Sequence, residues 1–488
     1  MNKLMKGFKR HSCLVMATLL TVSSTIASAS ISSPSPSKEE VSTMKKIVGY
    51  YPEWAVYSAH KNYNPDDMAI SKMTHINYAF ATITEGKIAV FDSWAATGIT
   101  SQFGEVYGSE YSGVLGQFKK LEQAYPNTSF MISIGGWTQS GNFHDVAATA
   151  DARKKFVDSV IEYVRLWSFD GVDIDWEFPG LQREPDLVDN ANDQGTPKGD
   201  DSEKETFTLL LKDLRAALDI AGAEDNTYYQ LTAAVSANST LIEKTDPVEY
   251  SKYLDFINIM TYDLHGAWDT KTNHQSALYT NPHANTTALS IDASVKIFTQ
   301  KGIDVSKLVI GSPFYSRGWK DVNKQGPINK YPGLFSTADG GANGIWDGGR
   351  AAGVNPYWHI KEMEQDSSFV KYYDEYAQAP YLYSESKKEM YTYEDEQSLG
   401  QKVAYVDKNN LGGIIFWEVT GDASIKGTEL LDVIYNGFYE GIVPDEAIPP
   451  SDDNSDSNDD SNNDDSNNND NSTDDSTDSN DDSSTSSG

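Results

Sequence analysis

Eight short apolar runs, separated by longer stretches with helical periodicity, constrain this chain more than any other feature. The runs are "KIVGYY" (46–51), "HINYAFA" (75–81), "SFMISIGG" (129–136), "GVDIDWEF" (171–178), "QLTAAVS" (230–236), "DFINIMTY" (255–262), "KLVIGSPFY" (307–315) and "GGIIFWEV" (412–419). Between them, Phe156, Val160, Val164 and Trp167 fall on one helical stripe, as do Phe207, Leu210, Leu211, Leu214 and Leu218. Strands alternating with helices call for a parallel sheet, and eight of them predict an α/β fold, a (β/α)8 TIM barrel. One interval breaks the rhythm. About 90 residues separate the seventh run from the eighth, too many for a structureless loop. A small α+β insertion is expected there, at about 320–395, on the face where such barrels carry their chemistry.

The two ends stand apart from this pattern. Residues 1–29 combine Lys3, Lys6, Lys9 and Arg10 with the apolar "CLVMATLLTV" and the small-residue end Ala27-Ser28-Ala29. That layout predicts a cleaved secretory signal, its apolar run being well short of the ~20 residues of a membrane span. Residues 30–44 read as a leader, 45–441 as the catalytic barrel and 442–488 as a tail. From 451 onward that tail holds neither an apolar nor a basic residue, so it is expected to be disordered. Its Asp-x-Asp pieces lack the central Gly and final Glu of a calcium loop. Cys13, the only cysteine, falls in the signal, which excludes disulfides and thiol chemistry from a mature chain. Net charge is −33 and stays strongly negative without the two ends, so nucleic acid and anionic membranes are not expected partners. A secreted, extracellular monomer is the expectation.

The fourth run carries four acids, Asp170, Asp173, Asp175 and Glu177, in "DGVDIDWEF". Side chains alternate along a strand, so the last three would climb one face in steps of roughly 6.5 Å toward the barrel mouth. Burying three carboxylates in a row for stability alone would cost several kcal/mol each. Crowded carboxylates raise one another's pKa, so one of them can hold a proton near neutral pH and give it to a leaving group. A metal cluster is the competing use, but strand-mates two apart do not converge on one ion and no His lies within the motif. No metal and no cofactor is expected. Asp170 has the other parity and reads as a brace for the strand–loop geometry.

"DGVDIDWE" resembles the D-x-x-D-x-D-x-E signature of the family 18 glycoside hydrolases, the chitinase family. "SIGGW" (133–137), "MTYD" (260–263), Trp417 in "IIFWE", "HINYAF" and "PFYSRGW" are similar to further elements of that family, and the insertion resembles its bacterial subfamily A. The resemblance spans roughly 45–440 and implies a retaining chitinase assisted by its substrate. On that basis Glu177 would protonate the bridging oxygen between two N-acetylglucosamine units. Asp175 would hold the acetamido N–H, Asp173 would share a proton with Asp175, and Tyr262 would donate to the acetamido oxygen. Met260 and Asp263 would shape the same pocket. Ser133 would support the ladder, with Gly135 and Gly136 allowing close backbone approach.

Ten Trp and 28 Tyr suit stacking on the apolar faces of sugar rings, though most aromatics are core. The resemblance puts Trp417 at the floor of the −1 site, Trp137 beyond the cleaved bond and Trp54 toward the far end. Trp268 is a further candidate, and Trp176 reads as packing. Tyr315 and Arg317 resemble sugar-contact positions, with a structural ion pair as the other reading of Arg317. Chitin and chitooligosaccharides are the expected partners. An endo-β-N-acetylglucosaminidase acting on glycoprotein glycans or peptidoglycan shares the ladder and remains the alternative. A lectin on the same barrel would be expected to lack Glu177. An adhesive display protein built around the acidic tail would leave the ladder unexplained.

Overall fold

The computed structural model describes residues 44–450 apart from 188–192, 285–288, 325, 327, 328, 349, 350, 423, 425, 446, 448 and 449. The signal, nearly all of the leader and the acidic stretch 451–488 lie outside the described residues.

All eight apolar runs form strands: β1 (Lys46–Pro52), β2 (His75–Thr84), β4 (Ser129–Gly135), β5 (Gly171–Asp175), β6 (Gln230–Ser236), β7 (Phe256–Met260), β8 (Leu308–Pro313) and β13 (Gly413–Trp417). Their order is β1-β13-β8-β7-β6-β5-β4-β2, every pairing is parallel, and β1 also pairs with β2, which closes the barrel. A short β3 (Lys87–Val90) turns back antiparallel on β2 through Glu85 and Gly86, both with positive φ.

The helical stretches cover the outside because their apolar stripes have no other way out of water. Helix Ala150–Trp167 is capped by the Thr149 hydroxyl, which accepts the Ala152 N–H, and it buries Phe156, Val160 and Val164. Helix Glu203–Asp225 buries Phe207, Leu210, Leu211, Leu214 and Leu218. Each such side chain contributes roughly 1.5–3 kcal/mol by leaving water.

Inside the barrel the lining divides. Val48, Tyr50, Ala79, Phe80, Phe256, Val309 and Ile415 form an apolar cluster. Asn77, Ser133, Asp173, Thr232 and Asn258 are equally buried but polar. Strand register explains part of that set: Ser133 pairs with Asp173 across β4–β5, and Asp173 with Thr232 across β5–β6. Three polar side chains therefore lie abreast at one level.

Between β8 and β13 the chain builds a second sheet from β9 (Arg317–Trp319), β10 (Val370–Asp374), β11 (Ala379–Ser384) and β12 (Glu389–Thr392). It is antiparallel, in the order β10-β11-β12-β9, with helix Tyr357–Met363 beside it in sequence. Its own core contains Trp319, Tyr331, Leu334, Phe335, Tyr381, Tyr383 and Met390. Polar ties hold it to the loop after β7, among them two between side chains of opposite charge type. His274 Nε2 lies 3.1 Å from Asp374 Oδ2 with both side chains buried. Arg317 of β9 forks onto Asp263 at 2.7 and 2.6 Å.

Candidate active site

The acid ladder begins below the mouth at Asp173. This carboxylate is fully buried and accepts four hydrogen bonds: from Tyr50 (2.9 Å) and Ser133 (2.8 Å) on Oδ2, and from Thr232 (2.6 Å) and Asn258 Nδ2 (3.2 Å) on Oδ1. Burial raises its pKa, and the four donors oppose that rise. Sequence reasoning found Ser133 here and missed Tyr50, Thr232 and Asn258. Polar residues alternating along a strand look like a solvent face until the barrel closes around them.

Asp175 ends β5. It is buried, and its Oδ1 has no hydrogen-bond partner among the described residues. Burial first, then the charges of Glu177 and Asp173, push its carboxyl well above the ordinary range. An uncompensated buried acceptor is costly, so this atom is poised to take a donor that the protein does not supply.

Glu177 is not on the strand. The expected run 171–178 stops at Asp175, since Gly136 N–H to Asp175 C=O (2.7 Å) is the last β4–β5 bond and β6 offers no partner beyond Ala234. The Glu177 N–H goes instead to Ser140 Oγ at 2.8 Å, and Ser140 lies within hydrogen-bond distance of the Gly136 and Asp175 carbonyls. Ser140 was missed as well. Glu177 sits in this turn, half-buried at the mouth. Its carboxyl is pushed up to about 8 by burial and by Asp263, against Arg183 and the Trp137 N–H, which hold it down. Trp176, between the two upper acids, is core: it stacks on Phe143 at 5.1 Å and 12°.

The neighbouring strand ends complete the cleft. Tyr262 follows β7, with its ring edge-on to Tyr315 at 6.5 Å. Gly311 of β8 makes room for it, since a Cβ there would lie 2.6 Å from the Tyr262 ring. Burial and the charges of Asp175 and Glu177 keep the Tyr262 hydroxyl protonated. Met260 ends β7 and is buried. Asp263 adopts a left-handed backbone (φ 53°) that aims its carboxylate at Arg317. The Arg317 guanidinium also lies 5.4 Å from both the Trp268 and Tyr315 ring centres. The structure thus holds Arg317 in the ion pair that was its other reading.

Trp417 ends β13 and stacks on Phe80 at 5.5 Å and 12°, with Tyr50 at 5.6 Å and Trp54 at 6.1 Å. Trp54 and Trp417 therefore share one aromatic floor. Trp137, on the loop after β4, is 37% exposed, and Trp268 is 57% exposed on the loop after β7. The close approach at the glycines is to protein atoms rather than open cleft. A Cβ on Gly135 (φ 111°) would come within 2.2 Å of the Asp175 carbonyl oxygen, and one on Gly136 within 2.7 Å of the Phe80 ring. Asp170 lies at the opposite end of β5, where its Oδ2 accepts the Phe130 N–H at 2.8 Å and ties β5 to β4.

The arrangement, a carboxyl pushed up to about 8 at the barrel mouth beside a buried carboxyl with one unpartnered oxygen and a row of aromatic rings, suits acid–base chemistry on a sugar. Comparison with known proteins agrees. Residues 46–422 match the model of the glycosyl hydrolases family 18. The chain is 35% identical over 426 residues to Chitinase A1 of Niallia circulans, covering 79% of this chain and 58% of that protein's length. Among solved structures it is similar to chitinase ChiA74 from Bacillus thuringiensis, with a TM-score of 0.73, 32% identity and coverage of 84% and 71% of the two chains. It is also similar to a family 18 N-acetylglucosaminidase from Paenibacillus barengoltzii, with a TM-score of 0.65, 31% identity and coverage of 80% and 99%. With its barrel matched from first strand to last, this chain belongs to the glycosyl hydrolases of family 18.

Proposed function

We propose that this protein is a secreted chitinase that hydrolyses β-1,4 bonds between N-acetylglucosamine units with retention, using the substrate's own acetamido group. The observation that carries this reading is the orphaned Asp175 Oδ1, buried two residues from Glu177, whose carboxyl is pushed up to about 8. Glu177 gives its proton to the bridging oxygen as the bond to C1 breaks. The acetamido carbonyl oxygen of the −1 sugar bonds to C1, leaving a cyclic oxazolinium ion. Asp175 accepts the acetamido N–H and stabilises the positive charge, and the Tyr262 hydroxyl donates to the acetamido oxygen. Glu177, now ionised, takes a proton from water as that water attacks C1 from the face the leaving group left and the bond from C1 to the acetamido oxygen breaks, so the acetamido group is restored and the product is the β-anomer. Trp417 carries the −1 sugar, Trp54 extends the floor away from the cut, and Trp137 and Trp268 offer stacking surfaces toward the leaving side.

The test compares wild type with Glu177→Gln on N-acetylglucosamine oligomers, reading the first-formed anomers by NMR. β-Anomers from wild type and a fall of about 10³-fold or more in the variant are expected. Initial α-anomers, or full activity in the variant, would overturn the mechanism. Release of glycoprotein glycans without action on chitin would instead make it an endo-β-N-acetylglucosaminidase.

A further inference from the structure

Arg183 was not singled out by the sequence. It lies on the loop that follows Glu177, and its side chain is 14% exposed. All but one of its guanidinium nitrogens are engaged. The fork pairs with Asp193, whose side chain is fully buried, and Nη2 donates to Asp193 Oδ1 at 3.0 Å. The same nitrogen donates to the Trp137 backbone carbonyl at 2.7 Å. The central carbon of the guanidinium lies over the Trp137 ring, 3.9 Å from its centre. Arg183 therefore holds Trp137 twice, by its peptide carbonyl and through its indole ring.

The scaffold behind this grip is built rather than incidental. Arg183 and Thr196 pair in both directions (3.2 and 2.7 Å) as an antiparallel bridge. Gln194 N–H bonds to the Thr138 carbonyl at 3.0 Å, and Gln194 Nε2 to Gln139 Oε1 at 3.1 Å, which docks this part of the chain on the loop after β4. Asp193 also accepts the Asp186 and Gly195 N–H groups at 2.7 and 2.9 Å. Phe178, the residue after the acid, meets the Trp137 ring edge-on at 6.4 Å.

We propose that Arg183 is a positioning residue that clamps Trp137 as the sugar platform on the leaving side, and so sets preference for chains extending past the cleaved bond. A guanidinium stacked on an indole strengthens a fixed ring orientation. A sugar platform gains affinity when its rotamer is locked before the ligand arrives. The inference rests on the chitinase reading for its substrate.

The experiment sets Arg183→Met and Arg183→Lys against wild type on the N-acetylglucosamine hexamer and on the oxazoline of the disaccharide, which has no sugar beyond C1. Arg183→Met is expected to raise KM for the hexamer about tenfold, the value of one stacked cation. It should leave oxazoline hydrolysis within about twofold on its high-pH plateau, where Glu177 is ionised in both enzymes. In a Trp137→Ala background the KM effect should vanish. Around Glu177, Asp175, Asp263 and Tyr262 supply negative or titrating neighbours, Arg317 is taken up by Asp263, and Arg183 is the cation that holds the acid down. The alkaline limb of the hexamer profile should therefore move to higher pH in Arg183→Met and stay in place in Arg183→Lys, which keeps the charge but not the stack. Equal losses on both substrates, an undiminished effect without Trp137, or no effect would overturn the clamp. A further readout needs no turnover: the 19F signal of 5-fluorotryptophan at Trp137, assigned by its loss in Trp137→Phe, should shift in Arg183→Lys. If wild type turns over no N-acetylglucosamine oligomer the functional reading fails, and the 19F signal still decides the clamp.

Discussion

Asp173 and Asp175 are the same residue type, on the same strand, on the same face, two positions apart, and they lead opposite lives. Asp173 has a donor for each lone-pair direction, from β1, β4, β6 and β7. Asp175, one step nearer the mouth, keeps an oxygen that nothing in the described protein satisfies. Burial alone does not separate them, since both are buried. What separates them is the surrounding strand ends: hydroxyls and an amide at one level, Ala234, Gly135 and Met260 at the next. A saturated buried carboxylate is framework, and an unsaturated one is an unfilled place for a ligand's donor.

The largest effect expected from this contrast is at Asp175. Asp175→Asn should lower kcat on N-acetylglucosamine oligomers by about 10²–10³-fold, the scale of losing one electrostatic partner of the transition state. Its urea midpoint should stay near wild type or rise, because an amide leaves less charge to bury. Loss of stability with little loss of rate would reverse the roles assigned to the two rungs.

Asp173→Ala should do the opposite first. It strands the donors of Tyr50, Ser133, Thr232 and Asn258 in the barrel, and a stability loss of about 3 kcal/mol is expected by urea unfolding. Unchanged stability would mean that water takes over the Asp173 site and that its network does not hold the strands in register.

The smallest expected effect is a pH shift. Glu177 acts as an acid only while protonated, so the rate should fall as pH rises through its folded value of about 8. Asp263 is one of the charges that lift that value. Asp263→Asn removes it and breaks the ion pair that neutralises Arg317, so the alkaline limb should retreat to lower pH. Stability follows the same sign. Glu177 binds its proton more tightly folded than unfolded, so its contribution is present below the unfolded carboxyl range and is lost as pH rises toward 8. The margin of Glu177→Gln over wild type in urea should therefore widen between about pH 4 and pH 8. A margin that stays flat would show that the folded protein does not shift this carboxyl.

Most of the barrel was legible because its signals are local. An apolar run bounded by turn residues is a strand wherever it packs, and the eight runs became the eight barrel strands. The inward parity of Asp173 and Asp175 follows from the two-residue repeat of any strand. Glu177 escaped that rule because the repeat holds only while a neighbour continues the ladder, and β4 turns away at Gly135. Arg183 was illegible for a related reason. It lies in a polar loop with no periodicity; Asp193 meets it from within that loop, and Trp137 only where the loop docks on the one after β4.

By itself, then, the sequence determined where the strands lie, which acids share a face, and how apolar stripes wrap the barrel, because these depend on dihedral periodicity and water alone. Only the tertiary structure decided which buried acid is saturated, where the strand yields to the turn that carries Glu177, and which tryptophan is gripped by a cation. Those outcomes depend on hydrogen-bond partners arriving from other strands, and a hydrogen bond reaches about 3 Å regardless of distance along the chain.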